Sequence, residues 1–302
     1  MRLHWLTSTL CLAISFPLGN AWSQGRSYRS LADSPQIYIT SAPGVQDGIF
    51  GILPSGALCT IVPPTGEWDG LLELDLSADG SLLYVLQSNH GTGVHRVLVF
   101  ETDGTLVRKF EGFSSTLMAM TVLDNGEIYL LHTNASGQNS RVLRVDPQTG
   151  QITVHFDFGQ AWTLRDMDHD ESGNLYFTGG PGPPNSIGVF KITPDGRLSL
   201  HAALLFCSGI EYHAETRTFW TTVNLAGASA YVYTVDLGGN VQFYSGVLGF
   251  TQPSVRGISF DPVRSAPVIG LGGPGKVGYI GMDWQFHGIA DLLWPIDVDV
   301  VP

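Results

Sequence analysis

The sequence predicts an all-β protein, a six-bladed β-propeller with four-stranded blades. Three observations carry that expectation. One strand–turn–strand unit recurs at intervals of 43 to 48 residues, the period of a propeller blade. Gly (37) and Pro (17) are abundant, and only 14% of the 302 residues are charged, which suits many short strands joined by tight turns. The parts of one unit stand at opposite ends of the chain. That split favours a closed ring over an open solenoid or a sandwich, because closure removes exposed sheet edges.

The unit is clearest in Thr163–Leu200. Leu164–Asp170 alternates, with Asp166, Asp168 and Asp170 on one face and Met167 and His169 on the other. Glu171-Ser172-Gly173 reads as a turn and Asn174–Thr178 as a strand. After a Gly/Pro loop come Val189–Thr193, the turn Pro194-Asp195-Gly196, and Arg197–Leu200.

Further copies of the first half end at Leu86, Leu131, Thr222 and Gly270. Gly80, Gly126 and Gly173 mark the turn in the first three copies, and Thr216 and Arg264 take that place in the last two. The second half occurs six times, at Ile49–Leu58, Leu98–Leu106, Leu143–Ile152, Val189–Leu198, Val232–Val241 and Val277–Phe286. For the sixth first half, Gln36–Thr40 supplies the second strand and Pro295–Val300 the inner one. The C-terminal strand is therefore expected to complete the first blade.

Residues 1–23 read as a signal peptide. Arg2 precedes an apolar segment, and small residues offer cleavage after Ala21 or Ser23. Residues 24–34 are an arm, and 35–302 a single propeller domain. The protein is expected to be secreted or periplasmic, since no later run approaches the roughly 20 apolar residues of a membrane span. Losing Arg2 leaves 14 basic and 27 acidic residues, a net charge of -13. That balance argues against nucleic acid and anionic membrane as partners and suits cations and small molecules. A monomer is expected. Cys59 and Cys207 fall on different blades, too far apart for a disulfide.

The strand order places the short turns on one face. The longer second-to-third loops and the blade connections lie on the other, where a site is expected. Inner-strand alternation lines up Asp75, Thr121, Asp168, Glu211 and Ser259, with Asp297 in the closing strand. A carboxylate ring of this kind suits Ca²⁺, with Asp75, Asp168, Glu211 and Asp297 as ligands, against the plainer reading that the acids bond backbone groups and channel water. Two residues earlier stand Glu73 and Asp166. With Arg165 and Arg256, at equivalent positions of two blades, they are the catalytic candidates: carboxylates for acid–base work, arginines for an anionic group. Trp68, Phe113, Trp162, Phe206, Phe250 and Trp294 recur near the blade connections, and His90 and His132 lie in loops. These are ligand-binding candidates, against the plainer reading that the aromatics pack between blades.

Asp166-x-Asp168-x-Asp170 lacks the glycine and terminal Glu of an EF-hand and sits on a strand. Gly270–Val277 imitates a phosphate loop without its Ser/Thr or a following helix. No G-x-S-x-G, H-E-x-x-H or C-x-x-C is present.

The repeated G-I-x-x-D-x-x-G-x-L-Y-V-type units resemble the six-bladed NHL and SMP-30 (gluconolactonase-like) propellers over about Gln36–Val301. The resemblance implies a divalent cation held by a Glu on the first inner strand and by Asn and Asp on later ones. Ser208-Gly209-Ile210 stands nearest to that family's Asn-Gly motif, and its Glu-Gly-Pro entry is absent. The implied function is an exported enzyme acting on a small organic molecule in the central funnel, by lactonase-like hydrolysis or as a lyase or cyclase. The alternative is a non-catalytic propeller that binds a small ligand or a protein partner through the same face.

Overall fold

The computed structural model describes residues 35–41, 47–89, 91–133, 139–182, 188–225, 229–247, 255–271, 275–283, 285–292 and 295–301. The predicted signal peptide and arm lie outside them. Twenty-four strands form six antiparallel sheets of four. Blade 1 holds β1 (Ile37–Ser41), β2 (Ile49–Ile52) and β3 (Leu58–Val62). Blade 2 is β4 (Leu71–Leu76), β5 (Leu82–Asn89), β6 (Val94–Glu101) and β7 (Leu106–Phe110). Blade 3 is β8 (Leu117–Val122), β9 (Ile128–Thr133), β10 (Ser140–Val145) and β11 (Ile152–Asp157). Blade 4 is β12 (Trp162–His169), β13 (Leu175–Pro181), β14 (Gly188–Ile192) and β15 (Leu198–Ala203). Blade 5 is β16 (Cys207–His213), β17 (Thr218–Leu225), β18 (Ser229–Asp236) and β19 (Val241–Val247). Blade 6 is β20 (Val255–Asp261), β21 (Ala266–Leu271), β22 (Lys276–Ile280) and β23 (Phe286–Asp291).

The last strand, β24 (Pro295–Val300), pairs with β1 in the register Ile37↔Val300, Tyr38↔Asp299 and Thr40↔Asp297. It is the inner strand of blade 1, so the ring closes as the split repeat predicts. Apart from a 3-10 turn at Gly66–Trp68, the described residues contain no helix. Cys59 and Cys207 are buried and not joined in a disulfide.

Middle strands are apolar on both faces because each blade is sandwiched between two others. In β13, Leu175–Gly180 is buried throughout. One seam joins Leu86 and Val97 of blade 2 to Leu117, Met120 and Ile128 of blade 3. Another sets Tyr176 of blade 4 against Ile210 and Phe219 of blade 5. Each such side chain contributes about 1.5–3 kcal/mol by leaving water.

The turn residues depart from expectation in two blades. Gly80, Gly126 and Gly173 hold φ of 63°, 81° and 71°, but in blades 5 and 6 the left-handed residues are Arg217 (φ 53°) and Ser265 (φ 49°), not Thr216 and Arg264. Those two turns are tighter. His213 pairs with Thr218 and Asp261 with Ala266, whereas Leu76 pairs with Leu83. The left-handed residue therefore falls directly before the second strand.

Candidate functional site in the central channel

Each inner strand carries a register shift near its start: between Leu71 and Glu73, Leu117 and Ala119, Leu164 and Met167, Cys207 and Ile210, and Val255 and Ile258. Opposite β24 the shift lies between Thr40 and Ser41. A bulge bends a strand and re-aims its side chains. At and just beyond it, two positions on each strand make two layers. The first holds Glu73, Ala119, Asp166, Gly209, Gly257 and Asp297; the second holds Asp75, Thr121, Asp168, Glu211, Ser259 and Asp299.

The acids in these layers staple one blade to the next. In the first layer, the N–H of Leu74 donates to Asp297 Oδ2 (2.8 Å), that of Met120 to Glu73 Oε2 (2.6 Å) and that of Ile210 to Asp166 Oδ2 (2.7 Å). In the second, Leu76 donates to Asp299 Oδ2 (3.0 Å), Val122 to Asp75 Oδ2 (2.6 Å) and Tyr212 to Asp168 Oδ2. Ser259 Oγ accepts the N–H of Val300 in the same way (3.2 Å). Every acceptor sits one blade before its donor. Gly257 shows how close the strands come, since a Cβ there would lie 2.4 Å from Asp297 Oδ1 and 2.6 Å from its Cα.

This pattern corrects one assignment. Asp297 belongs with Glu73 and Asp166, and Asp299 is the partner of Asp75 and Asp168. The closing strand has no following turn to anchor an alignment. The usable signal was the spacing Asp297-x-Asp299, which repeats Glu73-x-Asp75 and Asp166-x-Asp168. The four expected cation ligands are thus divided between two layers, and three of them each give an oxygen to a neighbour's N–H. Among the described residues no three His, Cys, Asp or Glu side chains gather to hold a metal ion. The expected four-carboxylate set does not fit a single cation site.

Burial and crowding keep Glu73, Asp75, Asp166, Glu211, Asp297 and Asp299 protonated unusually far up the pH scale. Burial, then the charge of Asp166 and a hydrogen bond with it, raise Glu73 well above the ordinary range. Burial also raises Asp166, to about 6, against the hydrogen bond from Glu73, which favours its charged form. The two carboxyls titrate together, so the proton they retain belongs to the pair. Burial, then Asp299 and Asp168, raise Asp75. Burial, then Asp168, Asp299 and Asp75, raise Glu211. Burial, then Asp166, raises Asp297, and burial lifts Asp299 to about 7. Burial pulls His169 down, but its hydrogen bond with Asp168 and the surrounding carboxylates raise it overall.

Two cavities meet at Glu73, Asp166 and Asp297. The larger, of about 380 Å³, is lined by both layers and by the first-to-second-strand turns, including Ser77, Asp124, Glu171, Glu215 and Pro262. Eleven of its lining residues are acidic and none is Lys or Arg, so the space favours neutral or cationic contents. It lies on the turn side, not on the loop side where a site was expected. The loop-side cavity is about 90 Å³ and is lined by the bulge residues Leu72, Met118, Arg165, Ser208 and Ile296. Arg165 is exposed there. Arg256 holds the equivalent backbone position on β20, and its side chain lies outside the described residues.

The aromatic candidates that are described sit at the seams. Trp68 packs edge-on to Phe100 under Arg96 and Lys109. Phe113 is buried in the seam of blades 2 and 3. Trp162 packs with Phe158, Phe177 and Phe190. Phe206 is half-buried at φ 63°. His132 is buried and lines neither cavity; burial, then Arg141 and His95, lower its pKa. His90, Phe250 and Trp294 lie outside the described residues.

No protein-family model matches the sequence, and no curated protein matches it. Solved structures match it in fold. A periplasmic gluconolactonase of Pseudomonas aeruginosa superposes with a TM-score of 0.60 at 14% identity, over 89% of this chain and 99% of that one. A nidogen/laminin complex gives a TM-score of 0.67 at 10% identity, over 89% and 99%. A streptogramin B lyase gives 0.50 at 16%, over 75% and 70%. At such identities the likeness is one of fold: the chain is a six-bladed β-propeller.

Proposed function

We propose that this is an exported propeller hydrolase that opens the ring of a small neutral or amine-bearing lactone in the larger cavity. The feature that carries the reading is the Glu73–Asp166 pair at the wall of that cavity, a buried glutamate raised well above the ordinary range beside a half-buried aspartate raised to about 6. A carboxylate raised to about 6 is a competent base near neutral pH, and its protonated neighbour is a competent acid. Asp166 takes a proton from water as the water oxygen bonds to the lactone carbonyl carbon. Glu73 gives its proton to the ring oxygen as the C–O bond breaks. The hydrogen bond between the two then returns the proton from Asp166 to Glu73. About 380 Å³ is enough for a small ring compound. The product is a hydroxy acid, an anion, and the acidic wall repels it. The gluconolactonase among its structural neighbours supports this reading by analogy of fold.

A binding-only reading has its own support, because the channel acids already hold backbone N–H groups. Incubating the mature chain with a panel of neutral lactones in a pH-stat separates the two. Hydrolysis releases one proton per turnover, and Asp166→Asn should lower kcat at least 100-fold while the far-UV spectrum is kept. No proton release above buffer, with thermal stabilisation by organic amines, would establish binding alone.

A further inference from the structure

The acids of the channel are not equivalent. Glu73, Asp75, Asp166, Asp168, Asp297 and Asp299 each accept an N–H of the next blade. By the same pattern Glu211 would accept the N–H of Phe260, the residue after Ser259, and no such bond is formed among the described residues. Its hydrogen bond comes instead from Ser259 Oγ, at 3.4 Å. Glu211 is a methylene longer than the aspartates of its layer, and its carboxyl lines the larger cavity. The acids that crowd it are Asp168, Asp299, Asp75 and Asp297. Asp75 stands on blade 2, across the ring from blade 5. Glu211 is thus the channel acid that no backbone group claims.

The wall beside it is aromatic. His213, two residues on and on the same face of β16, stands about 7 Å along the strand. Its ring packs on Phe260 with centroids 3.8 Å apart, and Phe260 stacks in turn on Trp220 at 5.5 Å. His213 and Phe260 both line the cavity. Burial lowers the pKa of His213, so its ring is uncharged at neutral pH. His169, whose pKa is raised, is held against Asp168 and Thr121. The lining offers no other basic side chain. A metal ion needs oxygen on every side, whereas a carboxyl beside aromatic rings suits a cation that carries its own apolar carbons.

We infer that the larger cavity selects organic ammonium compounds, with the positive nitrogen against Glu211 and its carbon substituents against His213 and Phe260. The inference rests on that cavity being the functional site, and it narrows the substrate to the amine-bearing class.

Choline is a suitable probe, because its charge does not titrate, and dimethylbutanol is its uncharged carbon analogue. In calorimetric titration of the full chain at about pH 7.5, choline should bind saturably and the alcohol at least tenfold more weakly. Glu211 has to ionise to meet the cation. Choline affinity should therefore rise at least fivefold from about pH 5.5 to pH 8, with a proton release that makes the heat depend on the buffer. Glu211→Gln should weaken choline at least tenfold and remove most of that release, and His213→Ala should weaken it about fivefold. Asp195→Asn, on a turn of blade 4 outside the cavity, should bind like wild type. If Glu211→Gln fails to fold, His213→Ala decides. The inference is overturned if choline and the alcohol bind alike, if neither binds, or if the three substitutions act equally. Neutral lactones opened as fast as amine-bearing ones would also overturn it and leave the hydrolase standing. Choline bound with no lactone opened would support it and remove the hydrolase.

Discussion

Asp75 is half-buried and accepts the N–H of Val122 of the next blade, which sets what a substitution does. Asparagine keeps an oxygen acceptor for that N–H, and alanine leaves it unpaired at about 1–3 kcal/mol. Asp75→Ala should therefore lower Tm by about 3–10 °C. Asp75→Asn should hold Tm at pH 5 and raise it at pH 8, where removing an ionisable group from a crowded channel is a gain. Calorimetry at both pH values reads this, and equal losses in the two variants would refute the staple. Five of the seven staple residues, Glu73, Asp75, Asp166, Asp168 and Ser259, were legible from alternation with their layers correctly assigned. Asp297 was found but put in the wrong layer, and Asp299 was missed, because both lie beyond the last turn. That such acids bond backbone groups was the plainer reading of the ring, but which N–H each one meets was not legible. Alternation gives a side chain's face, not the distance to the neighbouring strand.

The closing strand shows both what pattern can read and how much depends on it. Pro295–Val300 was expected from its likeness to other inner strands and is observed with those bounds. It covers Ile37 and Ile39 of β1 and supplies the acceptors for Leu74 and Leu76. Ending the chain at Leu292 removes all of these at once and leaves β1 as an open edge beside an emptied channel. Such a chain should elute as aggregate and lose its near-UV circular dichroism and cooperative melting. A monomeric, cooperatively melting product would show that blade 1 stands without β24. The turns of blades 5 and 6 were less legible. Without glycine, nothing in Glu215-Thr216-Arg217 or Arg264-Ser265 marks which residue turns left-handed.

Across the whole molecule, the raised acids set the dependence of stability on pH. Asp166 and Asp47 titrate near 6 and Asp299 near 7, against about 4 when unfolded, and Glu73, Asp75, Glu211 and Asp297 are raised as well. Between these values the folded chain binds more protons than the unfolded one, so stability is lost as pH rises. Surface acids such as Asp146 and Asp236 have lowered pKa values, set chiefly by local hydrogen bonds, and their contribution is lost as pH falls below about 4. Tm measured without divalent metal should peak near pH 4–5 and fall by about 5–10 °C by pH 8. A flat profile would mean the channel acids ionise freely. The larger cavity on the turn side was not legible in the sequence. Loop lengths pointed to the other face, and a cavity's size follows from how six strands converge, which no single strand encodes.

The N–H of Val301 donates to the carbonyl of Gln36 at 2.9 Å. The two ends of the propeller are thus neighbours on one sheet, a few residues of linker apart. Joined there, the polypeptide becomes a ring in covalent terms as well as in shape. It can then be cut anew between any two blades to give circular permutants with every strand in its present place. Where the gene begins and where the fold begins are separate facts for this architecture, and only the second is set by physics.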